Sequence, residues 1–140
     1  MQMPSSNPNL HVVHDPPRAA VLIVEDERVA RRALAALLAA SGFETCVAES
    51  AEEALRLLAD KDDLADRRIA LVDLNLPGMN GVDFIARLER IDPGAFPVLM
   101  TAASDDAVGE AVGNRNLVYL RKPLDVDQLL NVIAHGDERA

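Results

Sequence analysis

Four short apolar runs in this chain each stop abruptly at residues able to do chemistry. Val21-Leu22-Ile23-Val24 ends in Glu25 and Asp26, and Ile69-Ala70-Leu71-Val72 ends in Asp73. Pro97-Val98-Leu99-Met100 ends in Thr101, and the run from Leu117 to Leu120 ends in Arg121, Lys122 and Pro123. Taken one at a time these residues have ordinary explanations. An acidic pair after an apolar run is usually a solvated loop edge, Asp73 could form a turn, and Thr101 could cap one. Lys122 could be a surface charge, and Pro123 could open a helix near its first position. The ordinary explanations fail jointly, because short apolar runs bounded by charge suit buried parallel strands, and their ends then share one edge of the sheet. Ligands of open parallel sheets bind at that carboxyl edge.

Carboxylates gathered at one edge repel one another unless a cation neutralises them. An oxygen-only site of this kind suits magnesium, with waters and phosphate oxygens completing its octahedron. The metal can polarise an incoming phosphoryl group while Lys122 and Thr101 hold its other oxygens. A carboxylate in line with phosphorus can then act as nucleophile and give an acyl phosphate. Asp73, at the end of a central strand, is the geometric candidate. The residue types and their positions spell a phosphoryl-transfer site.

The elements that must position these groups alternate along the chain. Arg28 to Ala40 reads as an Ala- and Leu-rich helix with Ala30, Leu34, Leu37 and Leu38 on one face, and Gly42 stops it. Phe43 to Ala48 is a weaker strand. Ser50 with Glu53 makes a capping-box pattern ahead of Ala51, Ala54, Leu55 and Leu58. A Pro/Gly/Asn turn (Pro77, Gly78, Asn80, Gly81) precedes a helix with Phe84, Ile85 and Leu88 on one side. Ser104 can cap a short helix carrying Ala107, Val108, Ala111 and Val112, and Asp125 with Gln128 can cap a last one with Val126, Leu129, Leu130 and Ile133 facing inward. Five strand–helix pairs at this spacing predict an α/β domain: a parallel sheet with right-handed crossovers and helices on both faces.

Composition narrows the function classes. The 140 residues carry a formal net charge of -9, from 23 acids against 14 bases, which argues against binding nucleic acid through a broad basic face. Hydrophobic residues make up 49% and aromatic ones 3%, so a normal core must be built from Ala, Val, Leu and Ile. The single cysteine, Cys46, excludes an internal disulfide and is expected as a small buried hydrophobe. Residues 1–18, with four prolines among Ser, Asn and His, read as a flexible tail or linker, and His11 and His14 there as solvated side chains rather than metal ligands. With no signal-peptide run and no apolar stretch of membrane-span length, a cytoplasmic location away from the membrane is the expectation.

From Val21 to about His135 the chain resembles a response-regulator receiver domain of two-component signalling. Four segments carry the likeness: Val21-Leu-Ile-Val-Glu-Asp-Glu27, Asp73-Leu-Asn-Leu-Pro-Gly-Met-Asn-Gly81, Met100-Thr-Ala-Ala103 and Tyr119-Leu-Arg-Lys-Pro123. The resemblance implies a single doubly wound (βα)5 domain over residues 19–136, with flavodoxin-like strand order 2-1-3-4-5 and a short tail at 137–140. It implies that Glu25, Asp26, Asp73 and the backbone carbonyl of Asn75 hold Mg2+ (or Mn2+), and that Asp73 is the phosphoacceptor. Thr101 contacts the phosphoryl group, Lys122 pairs with one of its oxygens, and the Lys122–Pro123 bond is cis. Thr101 and Tyr119 take the switch positions, although a half-buried packing role fits Tyr119 equally well. The partners implied are a histidine kinase or histidine phosphotransfer protein, and a downstream protein bound through the fourth helix, fifth strand and fifth helix. Such a chain is a signalling switch and not an enzyme acting on a separate substrate.

Two rival readings remain beside it. A phosphatase of the haloacid dehalogenase type also uses a strand-end aspartate, but it needs a second aspartate where Asn75 stands. A degenerate receiver serving as an interaction scaffold would have lost some of the acidic pair, acceptor, Thr and Lys, and none is lost. One departure from the family pattern concerns the stretch between Thr101 and Lys122, about one residue short and containing Gly109, Gly113, Asn114 and Asn116. These residues weaken helices, so a short or mobile fourth helix is expected. After His135 only a few polar residues remain, which suits a single-domain regulator, a phosphorelay intermediate or a piece of a larger protein.

Overall fold

The computed structural model describes residues 20–60 and 68–139, so the expected tail 1–18, with His11 and His14, lies outside the described residues. Strands and helices alternate as β1 (Ala20–Val24), α1 (Arg28–Ala40), β2 (Glu44–Ala48), α2 (Ala51–Ala59) and β3 (Arg68–Asp73), then α3 (Gly81–Ile91), β4 (Phe96–Thr101), α4 (Asp105–Val112), β5 (Val118–Arg121) and α5 (Val126–Arg139). All strand pairs are parallel, in the order β2-β1-β3-β4-β5 that the sequence led us to expect. The order reverses between β1 and β3, so the crossovers on either side part to opposite faces. That leaves a crevice at the carboxyl ends of these two strands.

Side chains alternate across each strand and fill two cores. Leu22, Val24, Ala70, Val72 and Leu99 pack with Ala54 and Leu58 of α2, Phe84 and Leu88 of α3, and Val108 of α4. Val21, Ile23, Ile69, Leu71, Val98 and Met100 pack with Leu34 and Leu38 of α1 and with Leu129 and Ile133 of α5. Every residue of β3 is buried, as its unbroken apolar run demanded.

Polar side chains start the helices. Ser50 Oγ accepts the Glu53 N–H at 3.0 Å, and Glu53 Oε1 reaches back one residue beyond the cap to accept the Glu49 N–H at 2.8 Å. Asn80 caps α3 through the Asp83 N–H (2.9 Å), Ser104 caps α4 through Ala107 (3.2 Å), and Asp125 caps α5 through Gln128 (3.0 Å).

Several expected core positions lie elsewhere. Cys46 is half-buried, because β2 is an edge strand paired only with β1. Of the four apolar residues carried by α4, Val108 alone is buried, while Ala107 and Ala111 are exposed. The physical reason is the short edge strand beneath: β5 has four residues and buries only Leu120. Val126, the first residue of α5, is 48% exposed, since the buried stripe of that helix begins a turn later at Leu129. Helix α5 continues to Arg139, through positions 137–139 of the expected tail, with no proline to stop it. Its Gly136 lies against the Phe96 ring, where a side chain would collide.

Candidate functional site

The carboxyl ends of β1, β3, β4 and β5 bring the five sequence-selected polar groups to one edge. Glu25 follows the last residue of β1 and is wholly buried; Asp73 ends β3 and is nearly so; Asp26 is exposed. One carboxylate oxygen from each of the three lies within 4.8 Å of the others. Lys122 reaches in from the end of β5, and its ammonium donates to Glu25 Oε1 at 2.7 Å and to Asp73 Oδ2 at 3.1 Å. The lysine thus stands between two of the three acids.

Burial of an ionised carboxylate is costly unless it is paired and hydrogen-bonded. Glu25 Oε2 accepts the Glu27 N–H at 3.2 Å, and Asp73 Oδ1 accepts the Asn75 N–H at 3.0 Å, so both acids are bonded through both oxygens. Burial still raises the Glu25 carboxyl above its ordinary 4.5, with Lys122 opposing the shift and the Asp73 carboxylate adding to it. Burial alone would lower the Lys122 ammonium, but its bonds to Glu25 and Asp73 outweigh that and hold it above 10.5. The pocket carries more negative charge than one lysine can offset. Its donors are all oxygen, which fits a hard divalent cation such as magnesium.

The surrounding backbone holds these groups by bonds that the sequence alone did not disclose. Arg31, one turn into α1, donates to the carbonyls of Glu25 (3.0 Å) and Asp26 (3.3 Å) and so braces the acidic turn. An arginine five to six residues after an acidic pair, on the next helix, was the available signal. Gly81 opens α3 against the Asp73 carbonyl, so close that a Cβ would overlap it. Glu52 of α2 accepts the Met79 N–H at 3.2 Å and supports the turn after Asp73. Asn75 is exposed on that turn, and its backbone, not its side chain, is what bonds Asp73.

Thr101 and Lys122 are joined by a backbone bond, Lys122 N–H to the Thr101 carbonyl, at 2.7 Å. The Thr101 side chain is completely buried, and its hydroxyl accepts the Ala103 N–H at 2.9 Å. The Lys122–Pro123 peptide bond is cis. Tyr119 does not join the pocket. It is 36% exposed, and its hydroxyl donates to Asp105 Oδ1 at 2.6 Å at the start of α4.

Known proteins resemble this chain in sequence and in fold. The sequence profile described as response regulator receiver domain matches residues 21–134. A response regulator receiver protein from Anaeromyxobacter sp. (strain Fw109-5) is 37% identical over 112 residues, covering 79% of this chain and 45% of that protein. A cyclic di-GMP phosphodiesterase from Thermotoga maritima is 33% identical over 117 residues, covering 83% of this chain and 30% of that protein. The chain therefore spans less than half the length of these two relatives. Among solved structures, the signal receiver domain of an HD domain-containing protein from Pseudomonas fluorescens Pf-5 superposes with a TM-score of 0.77 at 27% identity, over 92% of this chain and 93% of that one. With the profile matched across nearly the whole described fold, this chain belongs to the response regulator receiver domain family.

Proposed function

We propose that the domain is a phosphorylation switch whose acceptor is Asp73, loaded by a histidine kinase or a histidine phosphotransfer protein. The observation that carries the reading is Lys122, whose ammonium bridges Glu25 and Asp73 inside the cluster of three carboxylates. Glu25, Asp26, Asp73 and the Asn75 backbone carbonyl would hold magnesium (or manganese), which supplies positive charge against the phosphoryl oxygens when bound. In the transfer, an Asp73 oxygen attacks phosphorus while the bond from phosphorus to the donor imidazole nitrogen breaks. The imidazole leaves with that electron pair, and Asp73 becomes an acyl phosphate.

This chain's own residues divide the remaining work. Lys122, already in contact with Asp73, passes to a phosphoryl oxygen as the carboxylate loses its charge. The Thr101 hydroxyl gives up the Ala103 N–H and donates to another phosphoryl oxygen. A signal then follows from the shift of α4, β5 and α5 toward a second arrangement, because contacts to the phosphoryl group exist only when it is present. A downstream protein would bind that face. The switch is taken to run from residue 19 to the end of α5, and the activity in the Thermotoga maritima relative's name is not carried to this segment. Asn75, at the position where a phosphatase of the haloacid dehalogenase type needs a general acid, speaks against that chemistry.

Incubation with acetyl phosphate and magnesium tests the assignment. The intact protein should gain one phosphoryl mass, labile in alkali and absent in excess chelator. An Asp73→Asn variant that gains the same modification contradicts the acceptor, and a wild-type chain that gains none contradicts the switch and leaves a scaffold.

A further inference from the structure

The loop that leaves Thr101 is held from outside by a cluster the pocket chemistry does not use. Arg121, the last residue of β5, pairs in register with Thr101. Its guanidinium donates through one nitrogen to the Ala103 carbonyl and through the other to Asp105 Oδ1. The same Asp105 oxygen accepts the Tyr119 hydroxyl at 2.6 Å. Strand alternation puts Tyr119 and Arg121 on one face of β5, the face that Leu99 and Thr101 present on β4. One arginine and one aspartate therefore fasten both ends of residues 103–105, and the aspartate also holds the tyrosine at the surface.

We infer that Asp105 and Arg121 form a clamp that fixes the resting arrangement of the Thr101 loop and of Tyr119, and so sets how readily the domain leaves it. They are positioning residues: neither touches the carboxylate pocket. When the Thr101 hydroxyl turns to a phosphoryl oxygen, the Ala103 N–H loses its partner, and residue 103 is held meanwhile by Arg121 through its carbonyl. Tyr119 cannot turn inward without releasing Asp105. Both motions thus work against the same two side chains. All three members are exposed, so the clamp is weak enough to open, and its loss should shift a population instead of unfolding the domain. The inference deepens the proposed switch and rests on it for the coupling to phosphorylation.

The protein supplies its own reporter, since it contains one tyrosine, Tyr119, and no tryptophan. A tyrosine hydroxyl bonded to a carboxylate emits weakly, so emission of the metal-free, unphosphorylated chain reads the clamp alone. Asp105→Asn should raise it; Arg121→Gln, which leaves the Tyr119–Asp105 bond in place, and Asp106→Asn, which removes the same charge one residue along α4, should not. Asp105→Asn and Arg121→Gln should both bind beryllium fluoride with magnesium roughly two- to five-fold more tightly, the size that one exposed charge pair allows. Tyr119→Phe should do likewise, and combining it with Asp105→Asn should add little, because the two act as a unit. A purely structural role would weaken the mimic's binding or leave it unchanged. Unchanged emission in Asp105→Asn overturns the clamp; raised emission there with unaltered mimic affinity in both Asp105→Asn and Arg121→Gln overturns its hold on the switch. A wild-type chain that binds no mimic contradicts the Asp73 reading instead, and the emission of the variants still decides whether the clamp exists.

Discussion

The pocket and the α4–β5 edge meet at Thr101 and Lys122, yet they are built on opposite principles. Asp73 ends a strand buried along its whole length, and Glu25 is shut in behind it with every oxygen bonded. Beside them β5 buries one residue of four, and α4 has a single fully buried residue, Val108, before Gly113, at φ +66°, ends it. Chemistry at a strand end needs fixed distances, and a packed sheet centre supplies them. A readout needs a segment that moves for little free energy, and an edge with few buried apolar contacts supplies that. The division teaches that the two jobs are allotted to different strands, with Thr101 at the seam.

The largest effect should come from attacking the rigid half. Phe84 of α3 is wholly buried beside Val72 and Leu99, so Phe84→Ala should cost about 3–5 kcal/mol in urea unfolding. Val108→Ala, which removes the anchor of α4, should cost only about 1–2 kcal/mol, from roughly 0.8 per buried methylene. Equal losses would erase the contrast.

Next in size is the charge balance of the pocket. Lys122→Met leaves the Glu25 carboxylate buried without its cation, which should destabilise the metal-free domain by roughly 2–3 kcal/mol. That is less than the about 3–5 of a wholly buried pair, because the lysine side chain is 28% exposed. Magnesium should restore part of the loss, seen as a larger thermal shift on adding the ion than in the wild type. An unchanged melting temperature without metal would mean that the lysine does not balance these acids.

The smallest effect belongs to the exposed edge. The bond to Asp105 raises the Tyr119 hydroxyl above its ordinary 10.0, and the same bond, with Arg121 beside it, lowers the Asp105 carboxyl. A folded-state value raised in this way adds stability that is full below pH 10 and is lost as pH rises through the folded value. Absorbance titration of the single tyrosine should therefore place its midpoint above 10.0, and Asp105→Asn should bring it down.

The same division governs what could be read from the sequence. Wherever burial is continuous, pattern sufficed: the Val21–Val24 and Ile69–Val72 runs gave β1 and β3 nearly to the residue, and Arg28–Ala40 is α1 as observed. The strand-end groups followed from the same runs. At the edge, pattern misled at Val126, expected to face inward and yet exposed, and helical spacing cannot show that the neighbouring strand β5 buries only Leu120. Side-chain bonds between distant segments were also beyond reach. Arg121 meets a carbonyl 18 positions away, and Glu52 meets an N–H 27 positions away, so nothing local marks them. The Gly81 requirement was half visible as a turn glycine; only the fold shows the Asp73 carbonyl that excludes a side chain there.

Hydrogen exchange of the magnesium-loaded domain, with and without beryllium fluoride, tests most directly whether the rigid pocket drives the yielding edge. The account predicts altered exchange across Ala102 to Arg121, greatest at residues 103–105 and around Tyr119, with β1 and β3 unchanged apart from their carboxyl ends. Changes confined to the strand ends, with α4 and β5 exchanging as before, would contradict it.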